Sequence, residues 1–315
     1  MLRRAFLKAA PVLGLLASCG KSAKIRLALD WKPEPEFGGF YAASLDNAAF
    51  QKHQLNVTIT SAGPGAPTWQ QLASGQADFA TTAADQVLLA RSQGADVVAI
   101  FAVYQTSPNA VMVHQSRNLK SLADVFQQPG ILAAEDDTWL TFCRQKFAPV
   151  AVTITGYSGG YGPFLARPDY SQQCFVSSEP YLVKRQGGDP QTFLIADAGY
   201  NPYTTVVITR GQFLRDHPDV VAAMAASCRE GWRAYLDNPS AANTAMEQLN
   251  HDMDPDTFAA AAQRQQELIE TPDTKAHTLG WMSPTRWQQL RQQLIDLKVI
   301  DSDKAPSADS CFTNP

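Results

Sequence analysis

The chain has 315 residues, a length typical of one large or two medium-sized domains. Hydrophobic residues make up 45% and charged residues 18%, which predicts a packed core and excludes a wholly disordered chain. The formal net charge of −4 argues against a dedicated nucleic-acid-binding protein, because such proteins usually carry a basic excess.

The first residues are typical of an export signal. Arg3, Arg4 and Lys8 form a positively charged stretch. Residues 9–17 are almost wholly apolar, but this run is shorter than the roughly 20 residues that a membrane-spanning helix needs. The combination therefore predicts a signal peptide rather than a membrane span.

The signal ends in Leu-Ala-Ser-Cys at residues 16–19, which resembles the cleavage site of bacterial lipoproteins. We expect residues 1–18 to be removed and Cys19 to be lipid-modified. Residues 19–24 would then tether the domain to the outer face of a membrane without spanning it. An ordinary secretory signal followed by a chance cysteine is the alternative.

The first part of the mature chain alternates apolar strands with short helices. Continuous apolar strands such as Val97–Tyr104 favour a parallel sheet that is buried on both faces. The predicted elements are strands at 25–29, 55–60, 77–81 and 97–104, and helices at 40–53, 69–73 and 85–91.

The same alternation restarts at Asn109. Residues 156–162 hold four glycines and two tyrosines, which predicts a loop that lets the backbone approach another group closely. The predicted elements are strands at 111–113, 130–134, 150–155, 175–177 and 192–195, and helices at 119–126, 140–147 and 180–185.

The last third is mainly helical. After a strand at 204–209, a long helix at 218–236 has apolar residues on one face at steps of three or four. We expect the polar tail at 301–315 to be loosely attached. Further helices are predicted at 240–249, 255–269 and 284–297.

Two α/β units followed by helices predict two lobes. If the chain crosses near residues 106–108 and 201–203, the two crossings form a hinge beside an interlobe cleft. Lobe 1 would then comprise residues 25–107 together with 203–300, and lobe 2 residues 108–202.

Four cysteines remain apart from Cys19. They form no CxxC or HxxC pair, so we expect no structural metal site. An exported chain with an even number of cysteines can form disulfides. Cys143–Cys174 and Cys228–Cys311 are the expected pairs because each pair falls in one predicted region, and free buried thiols are the alternative.

Motifs of common enzyme classes are scarce. The sequence has no GxGxxG after a strand, no HExxH and no P-loop. Asp136 and Asp137 could serve as a catalytic acid and base, but capping of a helix that starts near Thr138 is the simpler interpretation. We therefore expect no catalytic residues and no metal.

The most informative segment is DWKPEPEFGGFY at residues 30–41, between the first strand and the first helix. Ligands of open α/β sheets bind outside the carboxyl ends of strands. Trp31, Phe37 and Tyr41 are predicted to stack on a flat ring, and Gly39 with its neighbour to offer N–H groups to an anion. Burial of Trp31 or Tyr41 in the core is the alternative.

This segment resembles the pattern D-W-x-P-N-x-x-H-x-G-x-Y-x-A of the NMT1/THI5-like family. The family comprises binding proteins of ABC importers for thiamine pyrimidine precursors and similar rings. The resemblance implies a type II periplasmic-binding-protein fold, an α/β fold with two lobes and a hinge. It continues through residues 77–86 (ADFATTAADQ), 105–108 (QTSP), 178–181 (SEPY), 197–200 (DAGY) and 217–219 (HPD).

Two positions depart from the family pattern. Phe37 stands where the family has His, and Glu34 stands where it has Asn. Some eukaryotic members are pyrimidine synthases that use this His as a substrate donor, with pyridoxal phosphate and a cysteine-rich motif. Phe37 cannot donate an imidazole and the chain has no cysteine cluster, so we expect neither this enzyme activity nor a cofactor.

Further contacts are expected near other strand ends. Thr82 with Asp85 matches a capping box, and Thr81 and Thr82 are either capping residues only or also ligand contacts. Glu179 is expected to accept hydrogen bonds from an amino or ring N–H group, with a favourable interaction with the helix dipole as the alternative. The predicted lid over the ring consists of Tyr157, Tyr161 and Tyr200.

The sequence therefore predicts a lipid-anchored, extracytoplasmic solute-binding protein that works as a monomer with an ABC permease and ATPase. Formylaminopyrimidine, hydroxymethylpyrimidine, riboflavin and sulfonates remain open as ligands, because changing a polar contact to an aromatic one changes what a site accepts. A pyrimidine-synthase-like enzyme and a lipoprotein sensor without a transport role are the rival classes.

The lipid anchor leads to a direct test. Cys19→Ala removes the thiol to which lipid would be attached, so we expect unprocessed or released protein. Membrane fractionation of cells that express the variant checks this. A variant that still fractionates with membranes at the mature size would contradict the lipoprotein interpretation.

Overall fold

A computed structural model describes residues 24–61 and 68–315, so Cys19, the signal segment and most of the tether lie outside the described residues. The strands are β1 Lys24–Leu29, β2 Asn56–Ser61, β3 Phe79–Thr82, β4 Val97–Tyr104, β5 Asn109–His114, β6 Ile131–Ala133, β7 Thr153–Thr155, β8 Tyr170–Phe175, β9 Pro190–Leu194 and β10 Thr204–Arg210.

Short helices connect most strands in the first two thirds of the chain, and longer helices follow β10. The helices are α1 Gly38–Ser44, α2 Ala49–Lys52, α3 Thr68–Ala73, α4 Ala84–Ser92, α5 Leu122–Gln127, α6 Thr138–Lys146, α7 Gly162–Ala166, α8 Glu179–Arg185, α9 Gly211–Asp216, α10 Pro218–Asp237, α11 Ser240–Glu247, α12 Pro255–Arg264, α13 Gln266–Ile269, α14 Pro272–Ala276 and α15 Pro284–Asp296.

The strands form two five-stranded sheets, one in each lobe. Their orders are β2-β1-β3-β10-β4 and β7-β6-β8-β5-β9. In the first sheet β1 pairs in parallel with β2 and β3, whereas β10 runs antiparallel to β3 and β4. In the second sheet β6 pairs in parallel with β7 and β8, whereas β5 runs antiparallel to β8 and β9.

The expected parallel pairing holds for β1 with β2 and β3 and for β6 with β7 and β8, whereas the antiparallel pairs were not predicted. The two antiparallel strands, β5 and β10, are the first strands that the chain forms after each crossing between lobes. A strand that enters a sheet from the other lobe arrives at the cleft side, so it runs against the strands that were built outward toward the cleft. The exact residue limits proposed for the lobes stay a prediction.

The two crossing segments are hydrogen-bonded to each other. The backbone N–H of Ser107 donates to the side-chain oxygen of Asn201 at 2.8 Å, and the hydroxyl of Thr204 donates to that of Ser107 at 3.0 Å. The Arg286 guanidinium donates to the Asn201 carbonyl at 2.7 Å. These bonds join the two connections into one hinge.

Three glycines allow α1 to approach α10 closely. A Cβ atom added to Gly39 would lie 2.3 Å from the ring of Trp232, and one added to Gly38 would lie 2.1 Å from that of Tyr235. A Cβ on Gly231 of α10 would lie 2.3 Å from the Gly39 carbonyl oxygen. Gly39 therefore has a packing role, and its expected role as an anion contact stays a prediction.

The C-terminal tail is packed against lobe 1, so the expectation of a loose tail is wrong. The Ala99 amide of β4 donates to the Cys311 carbonyl at 2.8 Å, and the Thr313 amide donates to the Ala99 carbonyl at 2.8 Å. The Phe312 ring stacks on Trp287 with centroids 5.4 Å apart. The tail forms part of the lobe 1 core because its few apolar side chains face inward.

The expected disulfides do not form. Cys143, Cys174, Cys228 and Cys311 are all free and buried. Cys143 and Cys174 belong to separate apolar clusters in lobe 2, and Cys228 and Cys311 pack in different clusters as well. The predicted pairing is wrong because two cysteines in the same region of the chain can lie on different faces of a sheet.

Within residues 24–61 and 68–315, no helix has the length and apolarity needed to cross a bilayer.

The packing of α1 on α10 gives a stability prediction. Gly39→Ala places a methyl group against the Trp232 ring, and overpacking of this kind costs about 1–3 kcal/mol of unfolding free energy. Urea unfolding measures this loss. Gly160→Ala is the matched control, because a Cβ at that position meets nothing within 4 Å. Equal unfolding midpoints for the two variants would contradict the close approach.

Candidate functional site

The loop between β1 and α1 brings three carboxylates to the carboxyl end of β1. Asp30 is held by Thr81 of β3, whose hydroxyl donates to the Asp30 carboxylate and accepts from the Asp30 amide at 3.0 Å. Burial raises the pKa of Asp30, and the hydrogen bond from Thr81 lowers it. Thr81 thus positions this carboxylate, and its fully buried side chain lies within the lobe.

Glu34 lies partly buried in the same loop. Burial and the negative charge of Glu179 raise its pKa to about 7, and a hydrogen bond from Trp31 acts in the opposite direction. The raised value means that Glu34 exchanges its proton near neutral pH. Glu179 belongs to lobe 2, so a charge of the second lobe contributes to the raised pKa of this lobe 1 carboxylate.

Glu36 is the third carboxylate of the loop. Its pKa lies well above the usual value because of burial, followed by the charges of Glu34, Asp30 and Glu179. All of the charges that act most on Glu36 are therefore negative. A carboxylate in such surroundings is stabilised by a proton or by a positive group from outside the protein.

Lobe 2 supplies Glu179, the first residue of α8. Its carboxylate accepts hydrogen bonds from the Phe175 amide at 3.0 Å and from the Ser178 hydroxyl at 2.6 Å. Burial raises the pKa of Glu179, and these bonds lower it. Both bonds reach the same oxygen, Oε2, so groups of lobe 2 hold one side of this carboxylate in place.

Three tyrosines surround the same carboxylates. Burial and then the charge of Glu179 raise the pKa of Tyr157 and of Tyr161 in the glycine-rich loop before α7. Burial and then the charge of Glu36 raise the pKa of Tyr104 at the end of β4. The Tyr104 hydroxyl donates to Gln265 at 2.5 Å. The glycine-rich loop therefore carries two tyrosines on which the charge of Glu179 acts, and the expected close approach of its backbone to a ligand stays a prediction.

A second acidic group lies beside the hinge. The Tyr200 hydroxyl donates to the buried Asp85 carboxylate of lobe 1 at 2.6 Å, and the side-chain amide of Gln86 donates to the Asp137 carboxylate of lobe 2 at 3.5 Å. Burial and the charge of Asp85 raise the pKa of Asp137 to about 7. Asp137 also caps α6 by accepting from the Thr138 amide at 2.6 Å, so the predicted cap is confirmed.

The lobes also meet on the side away from the hinge. Arg185 of α8 lies 2.5 Å from an Asp254 oxygen at the start of α12, and the Arg264 guanidinium lies 4.7 Å from the centre of the Tyr181 ring. These contacts join the two lobes, and α8 carries Glu179 at its first residue and the interlobe ion pair at its last.

Two of the predicted stacking rings are buried in lobe 1. Phe37 is 1% exposed in the lobe 1 core. Tyr41 is buried, and it lines a cavity of about 600 Å³ near the end of β2, where it bonds to Ser61. Both side chains belong to the lobe 1 apolar cluster that also contains Trp232 and Tyr235 of α10.

Thr82 and Tyr200 also differ from expectation. Thr82 does not cap α4, since Ala83 is the N-cap and Asp85 bonds to Tyr200 instead. Tyr200 is buried at the hinge against Phe142, with ring centroids 5.3 Å apart, so it belongs to the hinge rather than to the lid. Trp31, Tyr157, Tyr161 and Glu179 stay predicted ligand contacts, and the charge of Glu179 acts on both tyrosines.

The sequence reasoning missed Glu34, Glu36 and Asp30 as site residues. The signal was present, because two glutamates alternate with prolines in a loop at the end of the first strand. Proline at 33 and 35 prevents this loop from continuing as a helix, which leaves both acidic side chains near the cleft. In the described part of the chain, no group of three or more His, Cys, Asp or Glu residues is arranged to hold a metal ion.

Comparison with known proteins defines the family. The model of the family described as NMT1/THI5 like matches residues 34–126 and 164–242. The chain belongs to the NMT1/THI5-like family. The predicted fold class is confirmed by the structural neighbours below.

A formylaminopyrimidine-binding protein from Halalkalibacterium halodurans is 23% identical over 277 residues, covering 84% of this chain and 83% of the relative. The periplasmic aliphatic sulphonate binding protein of Escherichia coli is 12% identical, with a TM-score of 0.69 over 93% of this chain and 92% of that one. A ligand-binding component of an ABC-type import system from Staphylococcus aureus is 13% identical, with a TM-score of 0.65 over 93% and 97%. This NMT1/THI5-like protein therefore has the two-lobed α/β fold of solute-binding proteins of ABC importers.

The hinge network gives a further prediction. Tyr200→Phe leaves the buried Asp85 carboxylate without its 2.6 Å partner, and losing a hydrogen bond to a charged group costs about 1.5–3 kcal/mol. Because Tyr200 stabilises the ionised form, the loss of unfolding free energy is larger at pH 8 than at pH 4. Urea unfolding at both pH values measures it, with Tyr170→Phe at the far end of β8 as control. A loss independent of pH would contradict the assigned bond.

Proposed function

We propose that this protein is a lipid-anchored solute-binding protein that captures a small, amino-bearing aromatic nitrogen heterocycle for an ABC permease and ATPase. A thiamine pyrimidine precursor is the model ligand. The single observation that carries the proposal is the meeting of Glu34 and Glu36 from one lobe with Glu179 from the other. Carboxylates accept hydrogen bonds from exocyclic amino groups and from ring N–H groups.

The aromatic groups at the cleft fit a flat ligand. Trp31 stands beside Glu34, and Tyr157 and Tyr161 stand beside Glu179. A ring inserted between the lobes would contact side chains on both sides, so it would favour the closed form over the open one. This is how a permease can distinguish the loaded protein from the empty one.

The same charges disfavour a sulfonate as the ligand. A sulfonate would bring a negative group toward three carboxylates, and burying like charges together is costly. The likeness to the sulphonate-binding protein of Escherichia coli is a likeness of fold alone at 12% identity.

An enzymatic role is also disfavoured on chemical grounds. Residues 156–160 read Gly-Tyr-Ser-Gly-Gly, which has the spacing of the nucleophile motif of α/β hydrolases. However, Ser158 is exposed in a loop well before α7 begins at Gly162, rather than on a sharp turn from strand to helix. The segment serves as the flexible glycine-rich backbone that carries Tyr157 and Tyr161.

Two substitutions test the proposal. Trp31→Ala removes a wall of the cleft, so we expect affinity for 4-amino-5-hydroxymethyl-2-methylpyrimidine to fall by about 2–4 kcal/mol, roughly 30- to 1000-fold. Glu179→Gln removes an acceptor's charge and should weaken ligands with amino donors while sparing those that present only carbonyl groups. Isothermal calorimetry measures both effects.

Controls separate the site from the scaffold. Trp31→Phe keeps an aromatic wall and should bind within a few-fold of the wild type. Glu267→Gln makes the same change as Glu179→Gln at an exposed position of α13. Wild-type binding by correctly folded Trp31→Ala would show that the ring lies elsewhere.

A further inference from the structure

One helix from each lobe lines the seam where the lobes meet on the side away from the hinge. Arg185, the last residue of α8 in lobe 2, lies 2.5 Å from the carboxylate of Asp254 and 3.4 Å from that of Asp256 in lobe 1. Asp254 caps the start of α12, because its carboxylate accepts from the Thr257 amide at 3.1 Å and from the Thr257 hydroxyl at 2.9 Å. The main partner of Arg185 is therefore held in place by its own helix.

A second contact joins the opposite ends of the same helices. The guanidinium of Arg264, the last residue of α12, lies 4.7 Å from the centre of the Tyr181 ring of α8, within the range of a cation–π interaction. The Arg185 guanidinium lies 5.9 Å from the same ring. Contacts at opposite ends indicate that α8 and α12 run antiparallel, so the negative end of one helix dipole lies near the positive end of the other.

Both helices are attached to segments that carry predicted ligand contacts. On the lobe 1 side, Gln265 directly follows α12 and donates to the Pro35 carbonyl at 2.8 Å, and Asn250, which precedes α12, donates to the Pro33 carbonyl at 3.1 Å. These bonds join α12 to the loop between β1 and α1. On the lobe 2 side, Glu179 is the first residue of α8. Movement of one helix away from the other therefore separates the two predicted binding segments.

We propose that Tyr181, Arg185, Asp254, Asp256 and Arg264 form an electrostatic latch, which holds the two lobes together around a bound ligand and slows its release. The inference rests on the proposed function, because it names what controls ligand retention in the same cleft. The latch residues come from different lobes, so their contacts break when the lobes separate about the hinge. A ligand that closes the lobes also brings the latch together, and the intact latch favours the liganded form.

The latch is exposed enough to respond to salt. The side chains of Arg185 and Asp254 are 43% and 41% exposed. A single exposed ion pair contributes little, so the latch depends on this pair acting together with the second carboxylate and the cation–π contact. Salt screens exposed charges, with a Debye length of about 30 Å at 0.01 M and about 3 Å at 1 M. Affinity should therefore fall with rising salt even for an uncharged ligand.

An uncharged ligand isolates this effect. Isothermal calorimetry with 4-amino-5-hydroxymethyl-2-methylpyrimidine at pH 8.5, where this ring is uncharged, compares about 20 mM with about 500 mM NaCl. We expect the wild type to lose affinity about three- to fivefold as the salt rises. The Arg185→Gln, Arg264→Gln double variant should bind about three- to tenfold more weakly than the wild type in low salt, and should lose less than about twofold when salt is added.

Arg167→Gln is the matched control. It breaks a similarly exposed ion pair of 3.0 Å, that of Arg167 with Asp169, but both of these residues belong to lobe 2. The control should keep the affinity and the salt dependence of the wild type. Equal salt dependence in the wild type and in the double variant would overturn the latch.

A double-mutant cycle tests the ion pair itself. Asp254→Asn removes the charge and keeps the cap of α12, since Asn caps helices about as well as Asp. If Arg185 and Asp254 act as a pair, the loss of affinity in the Arg185→Gln, Asp254→Asn variant should be smaller than the product of the two separate losses. Losses that multiply fully would overturn the assigned pair.

The latch can also be followed without a ligand. Small-angle X-ray scattering of the empty protein in low salt should give a smaller radius of gyration for the wild type than for the Arg185→Gln, Arg264→Gln variant. High salt should bring the wild-type radius toward that of the variant, a comparison that does not depend on whether the variant folds.

The outcomes separate this inference from the proposed function. Equal radii of the wild type and the double variant in low salt, with normal binding of the pyrimidine, would overturn the latch and leave the proposed function standing. Failure of the wild type to bind the pyrimidine, with the expected difference in radius, would overturn the proposed function and the role of the latch in ligand retention, but not the latch between the lobes.

Discussion

The close approach of α1 and α10 is the constraint on which the site depends. Gly38, Gly39 and Gly231 leave no room for a side chain between the two helices, so α1 has one position relative to the C-terminal helices. The loop just before α1 is held from the same side. Gln265 donates to the Pro35 carbonyl at 2.8 Å, and Asn250 donates to the Pro33 carbonyl at 3.1 Å.

This packing fixes the acidic loop at its backbone rather than through its carboxylates. The glutamates at 34 and 36 alternate with the two anchored prolines, so their backbone is rigid while their charges remain available to the cleft. A loop that is already held in place favours binding, because less conformational entropy is lost when a ligand binds. On the lobe 2 side, the bonds from Phe175 and Ser178 do the same for Glu179.

Much of the fold was predictable from local patterns. The strand β4 and the helix α10 were predicted correctly. The apolar run of β4 is long, and the apolar residues of α10 recur at steps of three or four. The antiparallel strands β5 and β10 and the packed tail were not predicted, since strand direction and tail contacts depend on how the lobes are connected. In the candidate site, Phe37 and Tyr41 were expected at the cleft, and the structure buries both side chains in an apolar cluster of lobe 1. The expected binding roles of Glu179 and the two loop tyrosines stay predictions.

The sequence by itself determined the family, the two-lobed α/β architecture and the loops in which binding residues lie, because these depend on motifs and on local periodicity. Only the tertiary structure decided which side chains of those loops face the cleft and which carboxylates meet across it. The physical reason is that Glu34 and Glu179 are far apart in the chain, and their mutual effect arises only when two separately folded lobes close on each other. No local sequence pattern specifies how close these two residues lie in the folded protein.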